Sequence, residues 1–177
     1  MTILSALRRA IGGALTAELP AQTLYNAVVA AARQPAFYLA GEVPDTLDGR
    51  FDMIALVLSH VLIRLEDLGE AQTAADVTER FIADMDGSLR QDGVGDQVVG
   101  KHIGRMVAAL GGRLGAYRDA RADDSALAEA LRRNLWRGEP VADDAVDWMV
   151  AAARGLAAGL ATRSAAQLLA GDLGAAA

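Results

Sequence analysis

The sequence feature that most constrains the fold of this chain is an apolar run of eleven residues, from Met53 to Ile63, bounded by Asp52 and Arg64. A helix that crosses a membrane needs about 20 apolar residues, so this run is too short to span one. A helix on a protein surface keeps one polar face, whereas the apolar residues of this run cover more than one helical face. The run therefore predicts a helix buried at the centre of a bundle.

The composition favours helices packed on helices. Hydrophobic residues make up 53% of the 177-residue chain and aromatic residues only 5%, so the apolar content is mainly Ala, Leu and Val. Such residues suit close-packed helices better than a sheet built from β-branched and aromatic side chains. The length predicts one domain. The chain contains no Cys, which excludes disulfides, thiolate metal sites and cysteine nucleophiles.

Gly and Pro separate stretches of helical periodicity, and no stretch alternates with period two, so we predict an all-α, single compact bundle of about seven helices. The main predicted helices cover residues 2–17, 20–34, 51–66, 70–91, 96–121, 124–136 and 141–161. Residues 35–50 are rich in breakers and are predicted to form a loop. Two pairs of glycines at four-residue spacing in the fifth helix, Gly100 with Gly104 and Gly111 with Gly115, would let another backbone approach closely.

The charge is unevenly distributed. The chain has 17 basic and 23 acidic residues, a net charge of −6, which argues against a DNA-binding protein. Residues 51–100 carry three basic and ten acidic side chains, whereas residues 101–137 carry eight basic and four acidic ones. This asymmetry predicts either pairing between the two segments or a polar surface for a partner.

The first predicted helix is amphipathic, with Arg8 and Arg9 beside its apolar stripe. Two interpretations remain open for it: a helix docked on the core, or a helix that rests on a membrane surface. A signal peptide fits poorly because the two arginines interrupt the apolar stretch.

No catalytic or metal-binding motif stands out around the two histidines. His60 lies in the apolar run and His102 lies beside Lys101, without a third ligand or a paired-histidine spacing. Ser59 adjoins His60, but the sequence lacks a nucleophile elbow. We expect structural roles for both histidines, no cofactor and no metal. His60 as a ligand in a haem or quinone carrier is the alternative.

The acidic residues of the central segment, Asp45, Asp48 and Asp52, lack the order of a calcium-binding loop, and helix capping explains them better. The sequence therefore predicts a protein that is not an enzyme. An enzyme that uses acid–base pairs would need these carboxylates or the histidines to converge in one pocket.

Two ordered blocks carry a resemblance to a known family. The first block is Phe37 and Tyr38, followed by the segment from Pro44 to Asp52, Pro-Asp-Thr-Leu-Asp-Gly-Arg-Phe-Asp. The second block comprises residues 84–86, 89–90, 93–96, 100–101 and 112–113, with a tyrosine at position 117. These blocks resemble the ubiquinol–cytochrome c chaperone family, the assembly factors of the cytochrome bc1 complex. The resemblance covers residues 35–120, between N-terminal helices in 1–34 and C-terminal helices in 121–177.

The resemblance implies a non-enzymatic chaperone that binds cytochrome b or another subunit of the complex during its biogenesis. The family further implies the ribosome or a small protein as additional partners. Because the sequence shows no transit-like extension, we expect a bacterial cytoplasmic protein, working peripherally at the inner face of the membrane.

The hypothesis for binding is a groove that covers an apolar helix of the client. Phe37, Tyr38 and Phe51 are its expected anchors. The charged residues of the segment are expected either to bind the partner or only to fix the loop. A basic stretch is expected to bind ribosomal RNA or an acidic protein surface. The alternative is that this stretch pairs with the acidic fourth helix. The remaining candidate residues are Pro44, Asp45, Asp48, Arg50, Lys101, Arg105 and Arg113.

Overall fold

The computed structural model describes residues 20–91 and 96–174, and every regular element in these two ranges is helical. Residues 20–32 form α1. The other helices are α2 (Pro35–Leu39), α3 (Leu47–Asp67), α4 (Ala71–Gln91), α5 (Asp96–Asp119), α6 (Asp124–Leu135), α7 (Asp143–Ala161) and α8 (Ala165–Leu169). The all-α prediction is confirmed. The predicted helix 2–17 and the glycine break at 93–95 lie outside the described residues.

Helix α3 is the centre of the bundle. It contacts α4, α5, α6 and α7. Met53, Leu56 and Leu58 are at most 1% exposed, although they lie on different sides of the helix. The apolar run therefore forms the buried central helix that its pattern predicts.

The prediction of a continuous loop over residues 35–50 is wrong at both ends of that segment. Pro35 begins α2, because a proline at the first helical position lacks only an N–H that would have no partner there. Helix α3 begins at Leu47, four residues earlier than the predicted start at Phe51, because the Thr46 side chain caps it. The irregular part is thus limited to residues 40–46.

The described residues do not make the predicted close contact at the glycines of α5. No described atom outside the helix lies within 4 Å of the position a Cβ would occupy at Gly100, Gly104, Gly111 or Gly115. Helix α5 instead approaches α3 through larger side chains on another face, among them the buried Leu110 and Tyr117.

Pairing between the acidic and basic segments occurs mainly across α3 and α5. Arg118 Nη2 donates to Glu66 at 2.7 Å, and Arg121 Nη2, just beyond α5, donates to Asp67 at 2.9 Å. These ion pairs support the internal-pairing interpretation. They join the basic segment to the end of α3.

Candidate functional site

The segment from Pro44 to Arg50 turns the chain into α3 through local contacts that each need a particular residue. Thr46 Oγ1 accepts a hydrogen bond from Gly49 N at 3.1 Å. A Cβ at Gly49 would lie 1.9 Å from the Pro44 carbonyl oxygen, so only glycine fits there. Arg50 Nε donates to Asp45 Oδ1 at 2.7 Å. The cap of α3 is therefore Thr46, and the predicted capping role of the aspartates is wrong.

Asp52 is completely buried and pairs with two arginines from distant parts of the chain. Its Oδ1 accepts from Arg113 Nη2 of α5 at 2.6 Å, and its Oδ2 accepts from Arg137 Nε, beyond the end of α6, at 2.9 Å. Arg137 Nη1 also donates to Asp48 Oδ2 at 2.7 Å. We call these four residues the Asp52 network; it joins the start of α3 to α5 and to the end of α6.

Burial dominates the electrostatics of Asp52. It raises the pKa of the carboxyl group, because the charged form loses its hydration, and the hydrogen bonds and charges of Arg137 and Arg113 lower the pKa again only in part. For Arg137, the hydrogen bond to Asp52 raises the pKa of the guanidinium. The network thus has a structural role. Its charges stabilise the fold only as a unit, because loss of one partner leaves another without its counter-charge.

The aromatic residues of the segment have different environments. Phe37 is 8% exposed and meets the Trp148 ring edge-on, with ring centroids 5.9 Å apart. Tyr38 is half-buried, and its hydroxyl donates to the Ala32 carbonyl at 3.0 Å. Phe51 is also half-buried; the Arg113 guanidinium lies 5.4 Å from its ring centroid. Of the three expected anchors, Phe37 belongs to the core, whereas Tyr38 and Phe51 line two different concave surfaces.

That groove has a volume of about 340 Å³ and lies at the N-terminal end of α3, between α3, α4 and α5. Its apolar side chains are Leu47, Phe51, Ile54, Met85 and Met106. Its polar side chains are Arg33, Asp48, Arg50, Asp84, Ser88 and His102. We call it the α3 groove.

Two leucines, one in the α3 groove and one near it, are unusually exposed for an apolar residue. Leu47, inside the groove, is 66% exposed. Leu39 is 80% exposed and lines an adjoining cavity together with Tyr38, Asp45 and Arg50. The segment with the Pro44–Asp52 motif therefore lies between two concave surfaces, with apolar side chains directed to solvent.

The candidate basic residues separate into two groups. Lys101 and Arg105 are exposed on α5, where Arg105 Nη2 lies 3.4 Å from His102 Nε2. The Arg113 side chain is only 12% exposed and is held by Asp52. Lys101 and Arg105 are accordingly available to a partner, while Arg113 holds α5 against α3.

His60 and Ser59 do not form a catalytic pair. Ser59 Oγ donates to the Ala55 carbonyl at 2.6 Å, and His60 Nδ1 lies 2.9 Å from the Leu56 carbonyl. His60 lines a separate cleft of about 210 Å³ at the C-terminal half of α3. This volume is below the range of about 300–1,000 Å³ that is typical of pockets for drug-sized ligands. Among the described residues, no three His, Asp or Glu side chains cluster as metal ligands.

Sequence reasoning misses several residues of this site, and Thr46 and Arg137 show why. Thr46 stands between aspartates that offer alternative caps, although a threonine directly before a helix start is itself a usable capping signal. Arg137 stands between Trp136 and Gly138 in a positive-φ conformation, with φ of 56°. Nothing in its sequence neighbourhood indicates a partner 85 residues earlier.

Comparison with known proteins identifies relatives of this chain. Residues 39–176 match the family model described as ubiquinol-cytochrome C chaperone. A solved structure, the crystal structure of the Cbp3 homolog from Brucella abortus, is 34% identical with a TM-score of 0.79. That match covers 97% of this chain and 94% of the other. No curated protein matches. Within residues 20–91 and 96–174, no helix is long and apolar enough to cross a membrane.

Proposed function

This chain belongs to the ubiquinol–cytochrome c chaperone family, and on that premise we propose that it is a non-enzymatic assembly chaperone that binds cytochrome b during biogenesis of the cytochrome bc1 complex. A membrane subunit exposes apolar helices before it is assembled. A protein that covers such a helix needs an apolar groove, and binding alone serves this purpose.

The observation that carries the proposal is the α3 groove. Its apolar side chains come from three helices, and Leu47 presents most of its surface to solvent at the motif that resembles the family. Grooves of this kind bind a helix through apolar side chains on one face of that helix. Arg33 and Arg50 line the groove together with Asp48 and Asp84, so the polar edge suits a client segment that carries charges of both signs.

The first experiment tests the groove. Leu47→Asp places a charge among the apolar side chains, and an acid in the first turn of α3 is compatible with the helix dipole. The matched control is Val107→Asp, because Val107 is 37% exposed on α5 and does not line the groove. We expect Leu47→Asp to reduce recovery of cytochrome b by about ten-fold or more, the effect of losing about 1.4 kcal/mol of binding free energy, with unchanged circular dichroism. Equal recovery with both variants contradicts binding at the groove.

The second experiment tests the role itself. Deletion of the gene is expected to lower the amount of cytochrome b and the activity of the bc1 complex, and the gene for wild-type protein is expected to restore both. Normal cytochrome b levels in the deletion strain contradict the chaperone proposal.

Lys101 and Arg105 are the candidates for a second partner, the ribosome or a small acidic protein. Both side chains are exposed on the same helix, and cationic side chains contact nucleic-acid backbones without sequence specificity. A Lys101→Ala, Arg105→Ala double variant is expected to release the protein from ribosomes in cosedimentation at low salt. Undiminished cosedimentation contradicts this assignment. A location at the inner face of the membrane belongs to the same proposal and is tested by cell fractionation.

A further inference from the structure

The cleft that contains His60 has a composition that client binding does not explain. It lies at the C-terminal half of α3, whereas the α3 groove lies at the N-terminal end. Its most buried side chains are apolar: Ile63, Leu127 and Leu160 are at most 8% exposed. Three arginines, Arg64, Arg121 and Arg154, also line it. A cleft with an apolar interior and a cationic mouth suits an amphiphilic anion.

Arg64 is the cation with unused binding capacity. Its Nε and Nη2 donate to the Arg163 carbonyl at 3.1 and 2.7 Å, and it has no carboxylate partner among the described residues. These two bonds use one edge of the guanidinium. The edge formed by Nη1 and Nη2 therefore stays available for a bidentate bond to a carboxylate.

The other two arginines already have partners and fix the shape of the mouth. Arg121 Nη2 donates to Asp67 at 2.9 Å. Arg154 donates to Asp124 at 2.7 Å and to the carbonyls of Arg121 and Ala120 at the end of α5. Since each pairs with one carboxylate, Arg64 contributes the unbalanced positive charge of the cleft.

His60 supplies a polar atom inside the cleft. The side chain is 9% exposed, and the Leu56 carbonyl occupies Nδ1, so Nε2 is the ring nitrogen without a hydrogen-bond partner in the described structure. The Tyr117 ring lies against the imidazole, with centroids 5.7 Å apart, and holds its orientation. Because Nε2 lies at the wall of the cleft, a ligand there can form a hydrogen bond with it.

From these contacts we propose that the cleft between α3, α5, α6 and α7 binds a short-chain monocarboxylate, with the carboxylate on Arg64 and His60 and the hydrocarbon tail against Ile63, Leu127 and Leu160. The volume of about 210 Å³ corresponds to roughly seven water molecules. This size suits an acid of four to about eight carbon atoms. The site is separate from the proposed client groove and does not depend on it.

Proton uptake accompanies binding. The charged groups that face His60 are Arg64 and Asp67 on its own helix, Arg121 at the end of α5 and Arg154 on α7. In the free protein, burial and the charges of Arg154 and Arg121 lower the pKa of His60. A carboxylate beside the ring favours the imidazolium form, which donates from Nε2 to the ligand. The pKa of His60 is therefore higher in the complex than in the free protein.

The experiment is an NMR titration of the full-length protein with hexanoate, in which His102 serves as an internal control. Hexanoate is expected to shift the imidazole signals of His60 and raise its pKa, and to leave those of His102 unchanged. 1-Hexanol lacks the charge and inorganic phosphate lacks the tail, so both are expected to bind at least ten-fold more weakly. Equal shifts at both histidines, equal affinity for 1-hexanol, or no shift with hexanoate overturns the proposal.

Two variants test the position of the ligand. Ala157→Leu fills the cleft, because Ala157 lines it, and the matched control Ala158→Leu adds the same side chain at an exposed neighbour on α7. Hexanoate binding is expected to be lost in the first and kept in the second. Arg64→Gln is expected to weaken binding about ten-fold, the usual effect of a lost charge-assisted hydrogen bond. Unchanged affinity in Ala157→Leu overturns the assignment to this cleft.

Discussion

Asp52 Oδ1 in α3 accepts a hydrogen bond of 2.6 Å from Arg113 Nη2 in α5, and neither side chain is more than 12% exposed. The pair lies where the central helix meets the longest helix of the bundle. The same guanidinium lies 5.4 Å from the Phe51 ring centroid. A single arginine thus fixes α5 to two consecutive residues of α3.

Replacing Asp52 tests how strongly this pair holds the fold. Asp52→Asn removes the negative charge and leaves Arg113 buried without a counter-charge. Removal of one partner from a buried pair typically lowers the free energy of unfolding by about 3–5 kcal/mol, and we expect a loss of that order in urea unfolding. Asp45→Asn is the control, because its pair with Arg50 is exposed and surface pairs add little. Equal losses in the two variants would show that the Asp52 network is not a stabilising feature.

Gly49 is expected to tolerate no side chain. Gly49→Ala places a methyl group against the Pro44 carbonyl oxygen, so the turn into α3 has to move and the melting temperature is expected to fall by several degrees. Gly87→Ala in α4 is the matched control, since nothing lies within 4 Å of its Cβ position. It is expected to stabilise the helix by up to about 1 kcal/mol. A neutral Gly49→Ala contradicts the observed turn geometry.

Phe37 and Leu39 are expected to respond in opposite ways, although they are two residues apart. Phe37→Ala opens a cavity beside Trp148 and is expected to lower the free energy of unfolding by about 3–5 kcal/mol. Leu39→Ala removes a side chain that is 80% exposed, so stability is expected to stay almost constant. Denaturant unfolding of both variants measures the difference. Similar stability of the two would place Phe37 outside the core.

The environment of His60 predicts that the protein becomes less stable on mild acidification. Its pKa in the folded protein lies below the ordinary value of 6.5. As the pH falls through 6.5, the unfolded chain takes up a proton that the folded ring does not bind, so the free energy of unfolding decreases by at most about 1.4 kcal/mol per pH unit. His60→Gln is expected to remove this dependence between pH 7.5 and 5.5. An unaltered slope in His60→Gln contradicts the assignment.

The buried central helix is predictable from sequence because its pattern is local. A helix with apolar residues on more than one face can only be accommodated inside the protein, whatever the remaining chain does. The start of that helix is harder to predict. It depends on one particular turn, in which Thr46 caps the helix and Gly49 packs against the backbone, and a high content of Gly and Pro does not reveal that turn.

The charge contacts are not predictable for a different reason. Asp52 precedes the apolar run, in the place where an acid commonly interacts with a helix N-terminus, and only the tertiary fold buries it between Arg113 and Arg137. The glycine spacing in α5 was equally ambiguous: four-residue spacing fits a close helix contact, but the described structure leaves that face open. Pattern alone does not state which face of a helix meets a neighbour.

The distance in sequence between Asp52 and its second arginine affects the order in which the protein can fold during synthesis. Arg137 follows Asp52 by 85 residues, so a ribosome has to add all of these residues before this cation exists. Until then, burial of Asp52 at the start of α3 has a desolvation free energy that is compensated only in part. During translation, the packing around the start of α3 can therefore be completed only after Arg137, at the end of α6, has been synthesised.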